Sequence, residues 1–172
     1  MSSMITQHAD AATLMSFAAG SLAEPLAAVV AAHAAMCRQC RDELADLDML
    51  GAALLLRQTG APGDSSAKLP DGLAKSGARE IAGRKVDPAE RLPAPIALAY
   101  NLSFEIIPWK RLGPGVWHHR LPLSEGVTGD LRLLKIAAGR QMPDHGHGGA
   151  ELTLVLDGAF SDATGEYKRG DL

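Results

Sequence analysis

The chain has 172 residues, 47% of them apolar and 22% charged, with a formal net charge of -3; that length holds one mid-sized domain or two small ones. The weak negative charge predicts neither a nucleic-acid binder nor a polybasic membrane binder, and no run approaches the roughly 18–20 apolar residues that a membrane span needs. The first Lys or Arg is Arg38, so no basic region precedes an apolar one as in a secretory signal, and a cytoplasmic location with reduced thiols is expected.

From Asp10 to Arg57 the pattern is helical. Asp10 can cap a first helix carrying Leu14 and Phe17 on one face, with Gly20 at its C′ position. Ser21 to Glu24 has capping-box form with Pro25 in the first turn. Leu26, Val29, Val30 and His33 then fall on a single helical face, and a third helix aligns Cys40, Leu44, Leu47, Leu50 and Leu54. Three short helices make a small all-α unit, here taken as residues 1–60, which is marginal unless stapled, for example by a structural metal.

Five of the ten prolines (62, 70, 88, 93 and 95) lie between Gly60 and Pro95, with several glycines. Residues 61–95 therefore read as a linker, with a short helix possible over 70–82. After residue 100 the pattern turns β-like: Phe104 to Ile107, Val116 to Leu121, Leu131 to Ala137 and Leu152 to Leu156 are short runs between Gly, Pro and Asp turns. Evenly spaced strands predict a sandwich or barrel over 96–172.

Two clusters carry chemistry. His33, Cys37 and Cys40 place an imidazole and two thiols within eight residues. C-x-x-C is the common two-thiolate zinc knuckle, because its turn aims both sulfurs inward. A redox dithiol would call for an adjacent βαβ pattern, and none is visible. Cys40 falls near a helix N-terminus, whose dipole favours the thiolate. Tetrahedral zinc needs a fourth ligand, and His8 is the other histidine of this half. Near the C-terminus, His145 and His147 are two residues apart with Glu151 opening the next run. Such a set suits zinc or another divalent transition metal and leaves coordination positions open.

The stretch Gly139 to Gly158 resembles the first cupin motif, G-x₅-H-x-H-x₃-E-x₆-G, at every defined position. The resemblance implies a small β-barrel with a further histidine from a second motif. Gly170-Asp171 looks like the opening of that motif and Leu172 is the last residue, so the barrel is expected to be incomplete, truncated before the second motif. His118 or His119 is an alternative ligand, but neighbours on a strand point to opposite faces, so at most one could turn inward.

A helical His…His-x₃-Cys-x₂-Cys unit, a linker and a cupin together resemble the ChrR-type anti-sigma factors. The likeness covers nearly the whole chain and includes Leu14 to Gly20 and Glu151 to Phe160. It implies an α+β multidomain fold, with a small all-α zinc-binding domain before an all-β cupin-like barrel. It also implies zinc on His8, His33, Cys37 and Cys40, and a sensor metal on His145, His147 and Glu151. The implied role is regulatory, without catalysis. The helices would sequester a group IV (extracytoplasmic-function) sigma factor from core RNA polymerase and release it under oxidative stress, with singlet oxygen or organic peroxides as the signal class.

Residues 1–57 carry six acids (Asp10, Glu24, Asp42, Glu43, Asp46, Asp48) against three bases (Arg38, Arg41, Arg57), a net of -3. That suits a partner whose own surfaces bind DNA or polymerase, and disfavours direct DNA binding by a zinc finger. The main alternative is a dioxygenase-like cupin metalloenzyme with an accessory zinc module. Against it, no acid/base group stands beside the ligands.

Overall fold

Asp10 is extended, and its carboxylate accepts the Thr13 amide at 2.8 Å, so α1 (Ala11–Ala18) begins where a cap can satisfy a free N–H. Gly20, at φ +67°, ends it. In the computed structural model, which describes residues 5–58, 91–140, 149–162 and 165–172, two further helices follow, α2 (Glu24–Met36) and α3 (Arg38–Gln58). The extended Cys37 separates them.

The capping box expected at Ser21 does not form. Ala23 stands at the N-cap with no side-chain bond, and the Ser21 hydroxyl donates to the Ser16 carbonyl. The Glu24 carboxylate that would close the box instead accepts the distant Ser124 amide. A tertiary partner has displaced a local one.

α2 differs from expectation in a second way. Val30 and His33 do share a face, buried beside Leu14, Cys37 and Cys40. But Ala28, Val29 and Ala32 face elsewhere, into the core of the C-terminal half. Of the thirteen residues only Ala35 is exposed, so α2 is a central helix, not an amphipathic one. Its alanines allow close approach on both sides.

In α3, Cys40 is buried and Leu44 and Leu47 pack on the small helical core. Beyond Leu47 every residue is exposed, including Leu50 and Leu54. The predicted stripe is real, but its second half lies past the end of the bundle.

Pro93 and Pro95, read as linker residues, open α4 (Ala94–Ala99). Proline suits a first helical turn, whose N–H groups lack partners in any case. Phe104 to Ile107 forms a single 3-10 turn, Phe104–Ile106, rather than a strand; Pro108 follows at once and has no N–H to give a ladder. Three strands then form an antiparallel sheet in the order β1-β2-β3: β1 (Lys110–Gly113), β2 (Val116–Arg120) and β3 (Arg132–Ile136). His119 pairs with Leu133 and Trp117 with Lys135. On that face the Lys135 ammonium lies 5.6 Å from the Trp117 ring and 6.0 Å from that of Trp109.

Leu121, Leu131 and Leu133 join Leu92, Ile96, Ala97, Ile107 and Ala32 in one core. β4 (Ala159–Ser161) and β5 (Glu166–Lys168) make a separate hairpin, with Phe160 stacked on Tyr167 at 4.9 Å. Leu152 to Leu156, expected as a strand, makes no ladder with β1–β5. Its Val155 pairs with the end of the chain instead: the Val155 amide donates to the Asp171 carbonyl, and the Gly170 amide to the Val155 carbonyl. Helices first and small antiparallel sheets afterwards give the expected α+β class. The possible helix over 70–82 lies outside the described residues, and among those described no helix is long and apolar enough to cross a membrane.

Candidate metal centre

α2 ends so that His33, one turn before its last residue, faces inward. Cys37 occupies the break, and the first turn of α3 delivers Cys40. His8 arrives on the extended segment ahead of α1. One ligand atom from each of these four residues can be chosen so that all lie within 4.8 Å of one another. Nε2 of His33 is 3.2 Å from Sγ of Cys40, and Nδ1 of His8 is 3.3 Å from Sγ of Cys37 and 3.7 Å from Sγ of Cys40. A tetrahedral ion with zinc-like bonds sets its donors about 3.3–3.8 Å apart. The two nitrogens and two sulfurs therefore fit a metal of that size and softness.

The electrostatics suit a metal as well. Burial holds the His33 imidazolium below its ordinary pKa, against the opposing pull of the Gly170 carbonyl, so the ring is neutral and can ligate. Burial also pushes the Cys40 thiol up, and the Cys37 sulfur beside it adds to this. A bound cation is what would make this thiol ionise.

The hydrogen bond made by His33 determines its tautomer. Nδ1 lies 2.8 Å from the Gly170 carbonyl. A carbonyl can only accept, so Nδ1 carries the proton and Nε2 presents its lone pair to the sulfurs. Sequence reasoning missed Gly170 here, because nothing in its spacing links it to a helix 137 residues earlier.

Of the second cluster, His145 and His147 lie outside the described residues, and Glu151 is exposed. The glycines that bound the motif, Gly139 and Gly158, have φ of +73° and +76°, where a side chain is strained. His118 and His119 sit on opposite faces of β2, and among the described residues neither joins a group of candidate ligands.

A helical unit whose two histidines and two cysteines could hold a metal packs against a small β-half, and comparison with known proteins places the chain among regulatory proteins rather than enzymes. The family described as the ChrR cupin-like domain matches residues 101–172. Over 171 residues the chain is 39% identical to the anti-sigma-E factor ChrR of Cereibacter sphaeroides, covering 98% of this chain and 78% of that protein. The crystal structure of Rhodobacter sphaeroides SigE in complex with the anti-sigma ChrR contains a similar chain. The TM-score is 0.75 at 39% identity, over 98% of this chain and 85% of that one. The chain belongs to the ChrR family of anti-sigma factors.

Proposed function

We propose that this chain sequesters a group IV sigma factor from core RNA polymerase, with a structural zinc on His8, His33, Cys37 and Cys40 holding the binding surface together. The observation that carries the reading is the likeness, over 98% of the chain, to an anti-sigma factor solved together with its sigma factor. The exposed end of α3 supports it. Met49, Leu50, Leu54 and Leu55 are each more than half exposed, and large apolar side chains grouped on one exposed helical segment mark an interaction surface.

The finer reading is that the cupin-like half is a sensor. His145, His147 and Glu151 would bind zinc or another divalent transition metal, and oxidative stress of the singlet-oxygen or organic-peroxide class would loosen the complex. The open N₂O donor set supports a responsive rather than a structural ion.

The test is transcription in vitro from a promoter of the cognate sigma factor. Zinc-loaded full-length chain is added to the sigma factor before core polymerase. Transcripts should fall stoichiometrically with added chain, and undiminished transcription at excess would defeat the reading.

A further inference from the structure

Among the described residues only two polar or charged side chains other than cysteine are buried, His33 and Asp171. One belongs to the metal centre, the other to the far end of the chain, and they meet at the same place. The Asp171 carboxylate accepts the Thr6 amide at 2.7 Å and the Gln7 amide at 3.0 Å on Oδ1, and the Lys168 amide at 2.8 Å on Oδ2. The Leu172 amide donates to the Gln7 carbonyl at 3.3 Å. Ile5 lies against Gly170 so closely that a Cβ there would stand 2.6 Å from Ile5 Cδ1. The neighbouring Gly170 carbonyl holds Nδ1 of His33.

The segment from Ile5 to Asp10 has no helix or strand of its own. Its backbone N–H groups at Thr6 and Gln7, immediately before His8, are satisfied by Asp171. Without that carboxylate the segment loses both acceptors, and His8 loses the anchor that brings it to the sulfurs. Both histidines of the centre are therefore placed by residues of the other half.

We propose that Gly170 and Asp171 form the outer shell of the metal centre, Gly170 fixing the tautomer and orientation of His33 and Asp171 positioning the segment that carries His8. The inference rests on the reading of His8, His33, Cys37 and Cys40 as metal ligands. Through these contacts the cupin-like half controls how tightly the metal is held, since outer-shell partners set ligand orientation and basicity. A displacement of residues 168–172 reaches two of the four ligands directly.

The experiment compares full-length wild type with Asp171→Ala. Zinc affinity is measured by competition with a chromophoric chelator, and the visible spectrum is recorded with cobalt(II) in place of zinc. Wild type should show the intense bands of a tetrahedral two-thiolate site, which only the centre holding Cys37 and Cys40 can give. Asp171→Ala should lose about 10- to 100-fold in affinity, with cobalt bands shifted or weakened, while its secondary structure by circular dichroism is retained. Asp171→Asn, which keeps an oxygen for the Thr6 and Gln7 amides, should restore much of the affinity and the wild-type spectrum. It also supplies the comparison if the alanine variant does not fold, with an affinity still below wild type because Asn cannot accept the Lys168 amide in the same geometry.

Unchanged affinity and spectrum in the folded variant overturn this proposal and leave the four-ligand reading standing. Absence of the two-thiolate cobalt bands in wild type removes both.

Discussion

Glu24, the first residue of α2, accepts a hydrogen bond from the Ser124 amide at 2.9 Å, and the next residue, Pro25, rests against Gly129. The start of the central helix is thus fitted to the β2–β3 connection. A Cβ at Gly129 would stand 2.9 Å from Pro25 Cγ, and the backbone there has φ +127°. A proline ring cannot turn aside as a flexible side chain can. Gly129→Ala is expected to lower stability by about 1–3 kcal/mol through overpacking and strain. Gly126→Ala sets the baseline for strain alone, since its φ is +79° with nothing within 4 Å. Urea unfolding of both should show Gly129→Ala as the more destabilised.

The Cys₂His₂ centre is expected to be a folding element. The helical core beside it is small: Ala9, Leu14 and Val30 are its buried residues besides the cysteines. In small finger peptides a structural zinc supplies on the order of 10 kcal/mol. Cys37→Ser or Cys40→Ser should therefore abolish zinc at this centre and melt α1–α3, read as lost helical circular dichroism and a lower melting temperature. Chelation of wild-type zinc should do the same reversibly. Melting that is indifferent to both treatments would rule out a structural ion.

The N-terminal unit was legible in the sequence because its information is local. The cap at Asp10, the glycine at position 20, the heptad-like spacing in α3 and the Cys37/Cys40 pair all act within a turn or two. What could not be read was the relation between halves. Glu24 has the form of a capping residue, and only the presence of Ser124 shows that its carboxylate is used elsewhere. Alanines at positions 28 and 32 look like filler until a second core is placed against them. Gly170-Asp171 resembles the opening of a cupin motif, yet the carboxylate binds the backbone leading to His8. Each of these is a long-range contact, to which hydrophobic periodicity is blind.

The outer half of α3 is expected to matter for binding and not for folding. Leu50 and Leu54 are 55% and 51% exposed, so replacing both with Glu removes little buried area. A buried apolar anchor at an interface is worth about 2 kcal/mol or more. Leu50→Glu with Leu54→Glu should weaken sigma-factor binding by a factor of ten or more, measured by titration calorimetry. Zinc content and melting temperature should stay at wild-type values. Full affinity in the double variant would move the interface to another surface.

The proposed sensor site can be separated from the structural one by a variant that touches only the former. His145 belongs to the G-x₅-H-x-H-x₃-E-x₆-G pattern, whose bounding glycines both have the left-handed backbone that favours glycine. The four residues gathered at the helical centre are His8, His33, Cys37 and Cys40. His145→Ala should leave one equivalent of zinc on the protein, keep the wild-type melting of α1–α3 and bind the sigma factor normally. What should fall is release: after exposure to singlet oxygen or an organic hydroperoxide, the variant should retain its sigma factor where wild type lets go, read by transcription in vitro before and after treatment. Wild-type release from this variant would assign sensing elsewhere, with the thiols of Cys37 and Cys40 the next groups to test, since sulfur is the softer target for both oxidants.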